Sequence, residues 1–318
     1  MSRAGPEPAG PLETSLRLTA PIDLGRTLSL LRHGAADPCV ELGDRFTWRA
    51  TRTPEGPATQ AILADRSAGA LRCWAWGPGA SWVLDHLGAL VGADDDQDGF
   101  ATLLAARPPG WQVVARLARR HPGLRVPRTS AVLESTVPAV LGQRVTSLEA
   151  ARSHRELTAA LGEPAPGPRR RMRLPPSAER LAATPSWAMH RFGIERHRAE
   201  TIARAARAAT RLEEASGLPL ADARRRLRSV PGLGAWSAAE VALAALGDPD
   251  AVSVGDFHLP NQVAWALAGI PRGDDRLMLE LLEPWRGQRG RVLRLLVTSG
   301  ATAPRFGPKQ PIASLRSM

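Results

Sequence analysis

The chain has 318 residues and a formal net charge of +11, with a sequence pI near 11.3, so there is room for two or three domains and a polyanion is the expected partner. Lys309 is the only lysine, so the charge is almost wholly arginine, which a general compositional bias toward arginine would also produce. Two cysteines, Cys39 and Cys73, are too few for a disulfide framework, a four-cysteine zinc site or an iron–sulfur cluster; with no leader-like or membrane-length apolar run, a soluble, reduced, cytoplasmic setting is expected.

Residues 1–14 are rich in Pro, Gly and Glu without a period and read as a disordered N-terminus. An α+β domain is expected over 15–105. It has strands at Ser15–Leu18, Phe46–Thr53 and Leu71–Trp76, a helix over Asp23–Gly34 with Leu24, Leu28 and Leu31 on one face, and a second helix over Trp82–Val91. The run Asp94 to Gly99 carries acids at calcium-loop positions 1, 3 and 5, but position 12 falls on Ala105, so a solvated acidic connector is expected.

From Trp111 the strand signals give way to helical ones, and a mainly α-helical body is expected over 106–302. Its helices are Trp111–Arg120, Ala131–Val145, Leu148–Leu161, Ala178–Ala183, Arg196–Ser216, Ala221–Arg228, Ala235–Leu246, Pro260–Ala268, Asp274–Leu282 and Arg289–Thr298. Residues 163–176, with Pro-Gly-Pro-Arg-Arg-Arg, read as an exposed loop whose arginines could also touch phosphates, and 303–318 as a loose C-terminal tail. The fold class is therefore mixed, an N-terminal α+β domain followed by the helical body.

The stretch 227–259 carries most of the chemistry. Pro231 cannot sit inside a helix, and Gly232 and Gly234 admit backbone angles closed to other residues, so the chain turns sharply between two helices. Amides at Leu233, Gly234 and Ala235 then lie at a positive helix end, where bare glycines let a phosphate approach. Alone, Pro-Gly-Leu-Gly also fits an ordinary inter-helix turn, and Asp256, ahead of an apolar segment, also fits an N-cap.

Leu-Arg-Ser-Val-Pro-Gly-Leu-Gly-Ala-Trp-Ser-Ala (227–238) resembles the helix-hairpin-helix element of the DNA glycosylase superfamily, and Asp256, 24 residues beyond Gly232, resembles its catalytic aspartate. Pro-Gly-Leu-Arg-Val-Pro (122–127), Ala-Val-Leu-Gly-Gln-Arg-Val-Thr (139–146), Phe-Gly-Ile-Glu-Arg-His-Arg-Ala-Glu (192–200) and Glu-Pro-Trp-Arg (283–286) stand in the order seen in 3-methyladenine DNA glycosylase II. The resemblance covers about 16–300. It implies a sheet-and-helix domain on a helical body, with a cleft that receives a base flipped out of DNA.

For the site, the resemblance implies Asp256 as catalytic and Gly232, Leu233, Gly234 and Ala235 as the phosphate-binding hairpin. The carbonyls of Arg228, Val230 and Leu233 would be places for a monovalent cation. The base pocket would be Trp236, Glu240, Trp285 and Leu30. Gln143 and Arg144 would fill the gap left by the flipped base or touch the opposite strand. The family's pocket tyrosine corresponds to Glu240, its N-terminal pocket aromatic to Leu30, and the acid before its aspartate to Gly255. Core packing is the competing reading for both tryptophans; Glu240 either attracts a cationic base or caps a polar network.

A carboxylate in a water-poor pocket stabilises the positive charge that develops on the sugar as an N-glycosidic bond breaks. Relatives that also nick the strand use a lysine where Trp236 stands, so hydrolysis without lyase activity is expected. The expected function is a monofunctional glycosylase excising alkylated purines in base-excision repair, without a redox cofactor. It would act as a monomer on double-stranded DNA containing damaged bases, at the nucleoid and not at a membrane. The rivals are a catalytically silent DNA-binding or damage-sensing protein and a glycosylase for deaminated or oxidised purines.

Overall fold

The computed structural model describes residues 10–43, 45–65, 68–300 and 302–304. Strands β1 (Leu12–Arg17), β2 (Val40–Leu42), β3 (Phe46–Thr53), β4 (Gly56–Asp65) and β5 (Ala70–Trp76) form one antiparallel sheet in the order β1-β5-β4-β3-β2. Leu12, Glu13 and Thr14, expected within the disordered N-terminus, belong to β1 and pair with Ala75, Trp74 and Cys73; the remainder of that expectation, 1–9, lies outside the described residues, as does 305–318 of the expected loose tail. The central strand β4 went unread because it opens Gly-Pro and is rich in alanine, which gives little strand signal.

Each face of the sheet is covered. On one, Ile62, Leu71 and Cys73 pack against Leu28 and Leu31 of the segment α1 (Leu24–Leu28) with its 3-10 extension Ser29–Leu31, and against Leu87 and Leu90. On the other, the Trp48 and Trp76 rings stack 5.5 Å apart and are covered by Met172 and Leu174. The 163–176 loop is therefore not simply solvated: its apolar end seals the sheet, while Arg169 lies over the Trp48 ring and pairs with Glu41.

Two short helices follow, α2 (Ala80–Asp85) and α3 (Leu87–Leu90), separated by His86. The helical body begins with α4 (Gln97–Ala105), α5 (Trp111–Arg120), α6 (Val132–Leu141), α7 (Ser147–Leu161), α8 (Ala178–Ala183) and α9 (Ser186–Met189). It continues with α10 (Arg196–Arg207), α11 (Ala209–Glu213), α12 (Leu220–Arg228), α13 (Ala235–Ala245), α14 (Leu259–Ala268), α15 (Asp275–Leu282) and α16 (Arg289–Thr298).

Two separate cores divide this body. Leu141, Leu157, Ile202, Leu227 and Val241 centre one, built from α6 to α13; Phe100, Val114, Met278, Trp285 and Val292 centre the other, in which α4 and α5 join α14 to α16. Trp285, expected in the base pocket, is fully buried in the second core, its ring 6.5 Å from that of Phe100. The competing core reading is the correct one for this residue. The acidic connector is corrected at one position: Asp94, Asp96 and Asp98 are exposed as expected, but Asp95 and Arg291 form an ion pair with both side chains only 3% exposed, and Asp95 further accepts from the Val126 amide. A guanidinium 196 residues away in sequence gives the buried carboxylate its partner, which composition cannot reveal.

Candidate active site and nucleic-acid interface

The helix-hairpin-helix turn joins α12 to α13. The Leu233 amide donates to the Val230 carbonyl at 3.0 Å, and Gly232 has φ +99°, where a Cβ would fall 2.3 Å from Thr201 Oγ1. Glycine is required there twice over, by handedness and by space. Gly234 differs: its φ is −79° and nothing lies within 4 Å of a Cβ built on it, so it leaves an open surface and not a strained turn.

Leu233 is corrected as a phosphate donor, since its N–H closes the turn and its side chain is buried. Gly234 and Ala235 are exposed, and the Trp236 amide joins theirs among the N–H groups at the head of α13 that have no partner among the described residues. The carbonyls of Arg228, Val230 and Leu233 all belong to this turn, and that of Val230 also closes it. Outside it, Arg204 Nε donates to Pro231 O at 3.0 Å and Gln143 Nε2 to Gly232 O at 2.9 Å.

Asp256 uses its two oxygens differently. Oδ1 accepts from the amides of His258 (2.7 Å) and Leu259 (2.9 Å) at the head of α14, while Oδ2 accepts from Trp236 Nε1 at 3.0 Å. Three donors therefore fix the orientation of a half-buried carboxylate that borders the cleft. The Trp236 indole N–H is committed to aiming it. Gly255, at φ +91°, donates its amide to both Asp275 oxygens, at 3.1 and 3.0 Å.

Glu240 lies one turn beyond Trp236 on α13 and accepts from the Ser253 hydroxyl. Burial pushes the Glu240 carboxyl up from its ordinary value; the Ser253 hydrogen bond opposes this and the Asp256 charge adds to it. Arg294 on α16 faces it, its guanidinium brought down to about 10 by burial. Leu30 lines the same cleft from the 3-10 turn after α1.

Gln143 and Arg144 separate in function. Gln143 Nε2 donates to Ser237 Oγ at 2.8 Å as well as to Gly232 O, so this side chain braces the hairpin. Arg144 is exposed in the left-handed region at φ +56°, and its side chain makes no hydrogen bond or ion pair among the described residues. Two participants escaped the sequence reading: Thr201, which forms the socket for Gly232, and Phe257, 81% exposed in the cleft immediately after Asp256. An aromatic next to the aspartate was the available signal for Phe257; Thr201 left none.

Trp236, Asp256, Glu240, Arg144, Leu30 and Gly234 all border one cleft of about 3220 Å³, well beyond the several hundred Å³ of a small-molecule site and suited to a macromolecule. No family model matches the chain. It is 28% identical over 293 residues to the probable bifunctional transcriptional activator/DNA repair enzyme AlkA of Mycobacterium tuberculosis, over 87% of this chain and 55% of that protein. It is also 28% identical over 194 residues to DNA-3-methyladenine glycosylase 2 of Escherichia coli, over 59% of this chain and 64% of that one. The chain is thus similar in sequence to proteins of the 3-methyladenine DNA glycosylase II type.

The chain spans about half the length of the first of these curated relatives and somewhat more of the second. Among solved structures, the 3-methyladenine DNA-glycosylase of Archaeoglobus fulgidus superposes with a TM-score of 0.77 at 16% identity, covering 90% of this chain and 98% of that one. The 8-oxoguanine glycosylase/lyase of Clostridium acetobutylicum shares the fold at a TM-score of 0.67 and 11% identity, covering 91% of this chain and 98% of that one. The mixed fold, a small antiparallel sheet ahead of a helix-hairpin-helix body, is thus that of these glycosylases. Among the described residues no helix is long and apolar enough to cross a membrane.

Proposed function

We propose that this chain is a monofunctional DNA glycosylase that flips alkylated purines from double-stranded DNA and releases them by hydrolysis, acting as an intracellular monomer in base-excision repair. The observation that carries the proposal is the Trp236–Asp256 pair at 3.0 Å, set in the same cleft as the unpaired amides of Gly234 and Ala235. Amides at a helix N-terminus grip one phosphate, and the nucleotide held beside them swings its base toward the carboxylate.

As the C1′–N bond lengthens, Asp256 faces the positive charge on the sugar. It also accepts the proton of the water that attacks C1′, leaving an abasic site. An alkylated cationic purine departs as a neutral base and needs no added proton. The Trp236 wall suits such a base by stacking; Leu30 closes the pocket, and Arg144 fills the vacated stack. Burial of Glu240 favours its neutral acid form, which can protonate a departing neutral purine, so a deaminated or oxidised base is the second reading.

Strand cleavage by a lysine Schiff base has no candidate at Trp236, and Lys309 is the one lysine of the chain. The test is a panel of single-lesion duplexes. The expected product is an intact strand that breaks only after alkali, with no borohydride-trapped complex. Trapping through a lysine, or no base release from any lesion, would refute the proposal.

A further inference from the structure

We propose a zinc-class metal site, built from residues other than those around Asp256, where the loop after α1 meets α7, with His33, Asp37, Cys39 and His154 as its ligands. Donor atoms of Asp37, Cys39 and His154 all lie within 4.8 Å of one another. The His33 ring stands 5.0 Å from that of His154, edge to face. One thiolate, two imidazoles and one carboxylate make a closed tetrahedral set for a borderline-soft divalent ion. Ligands around zinc are about 3.2 to 3.9 Å apart, so the Asp37, Cys39 and His154 donors need to contract by up to roughly 1 Å and the His33 ring to turn in toward them.

The loop is built to present these groups. Asp37 accepts from the amides of His33 (2.6 Å), Cys39 (2.8 Å) and Val40 (3.2 Å), which fixes the carboxylate and folds the segment around it. Gly34, at φ +89°, has its α-carbon so close to α7 that an added Cβ would meet the Ala151 Cβ at 2.7 Å. One turn further along α7, His154 is buried and its Nδ1 has no hydrogen-bond partner among the described residues, a buried polar atom that a bound ion would satisfy.

The Cys39 thiol gives its proton to solvent as the metal–sulfur bond forms. The neighbouring Glu134 is engaged by Arg49 and Thr51 and so does not compete. All four ligands border the large cleft, which provides an entry path. Leu30 lies three residues before His33, so the ion would clamp the wall that carries Leu30 to α7.

The full chain, stripped by chelator, is to be titrated with cobalt(II) alone. One equivalent should bind, with tetrahedral visible bands and a thiolate-to-cobalt charge-transfer band. Cys39→Ser should remove the charge-transfer band, His154→Gln should weaken binding at least tenfold, and Cys73→Ser should change neither. Because Cys39→Ser could unfold the loop, the native chain gives a second reading: one equivalent of zinc should protect Cys39 from alkylation at least tenfold. Absence of stoichiometric binding, an unchanged band in Cys39→Ser, or unprotected Cys39 would each overturn the site.

Discussion

Trp236 and Asp256 divide the carboxylate's two oxygens between architecture and chemistry, and substitutions should separate the two. Asn at position 256 keeps an acceptor for the His258 and Leu259 amides but loses the charge that faces the sugar. Asp256→Asn should therefore fold normally and bind DNA as well or better, while base release falls on the order of a hundredfold or more. Trp236→Phe keeps an aromatic wall and deletes the 3.0 Å indole hydrogen bond, leaving Asp256 Oδ2 free to swing. Its single-turnover rate should drop about tenfold or more with little change in affinity for lesion DNA. Equal losses in affinity and rate would make Trp236 a stacking surface alone.

At the scale of the element, the hairpin offers a contrast between its two glycines. Gly232→Ala forces a methyl group into Thr201 at a left-handed φ, so it should lower the melting temperature and DNA affinity together. Gly234→Val meets open space at an ordinary φ, so the fold should hold while affinity for damaged and undamaged duplex falls in similar proportion, through an obstructed phosphate. Thermal melts and binding at two salt concentrations check both. If well-folded Gly234→Val binds undamaged DNA normally, the turn is structural only. The hairpin was legible because Pro231, Gly232 and Gly234 can do little else at that spacing. Which amide closes it was not, since choosing Leu233 for that bond requires three-dimensional geometry.

Across the whole molecule, long-range pairing decided what the sequence left unread. Trp285 carries the same letters around it whether it lines a pocket or fills a core, and only the approach of Phe100 from α4 settles it. Asp95 looks solvated until Arg291 arrives from α16. This pair fastens the connector before α4 to the last described helix, so Asp95→Asn should cost about 3 to 5 kcal/mol by stranding a buried guanidinium. Chemical denaturation measures this; a loss under 1 kcal/mol would mean that water reaches Arg291. By contrast Trp285→Phe should retain whatever preference the chain has for damaged over undamaged DNA, its stability cost notwithstanding, since the ring is sealed from the cleft.

Gln143 ties the hairpin to the position beside it. Its amide donates to Gly232 O and Ser237 Oγ while the next residue, Arg144, borders the cleft from a left-handed turn. On the proposed function, a load on the Arg144 tip would reach the phosphate-holding hairpin through this single side chain, so that neither grip nor reach could be retuned without the other.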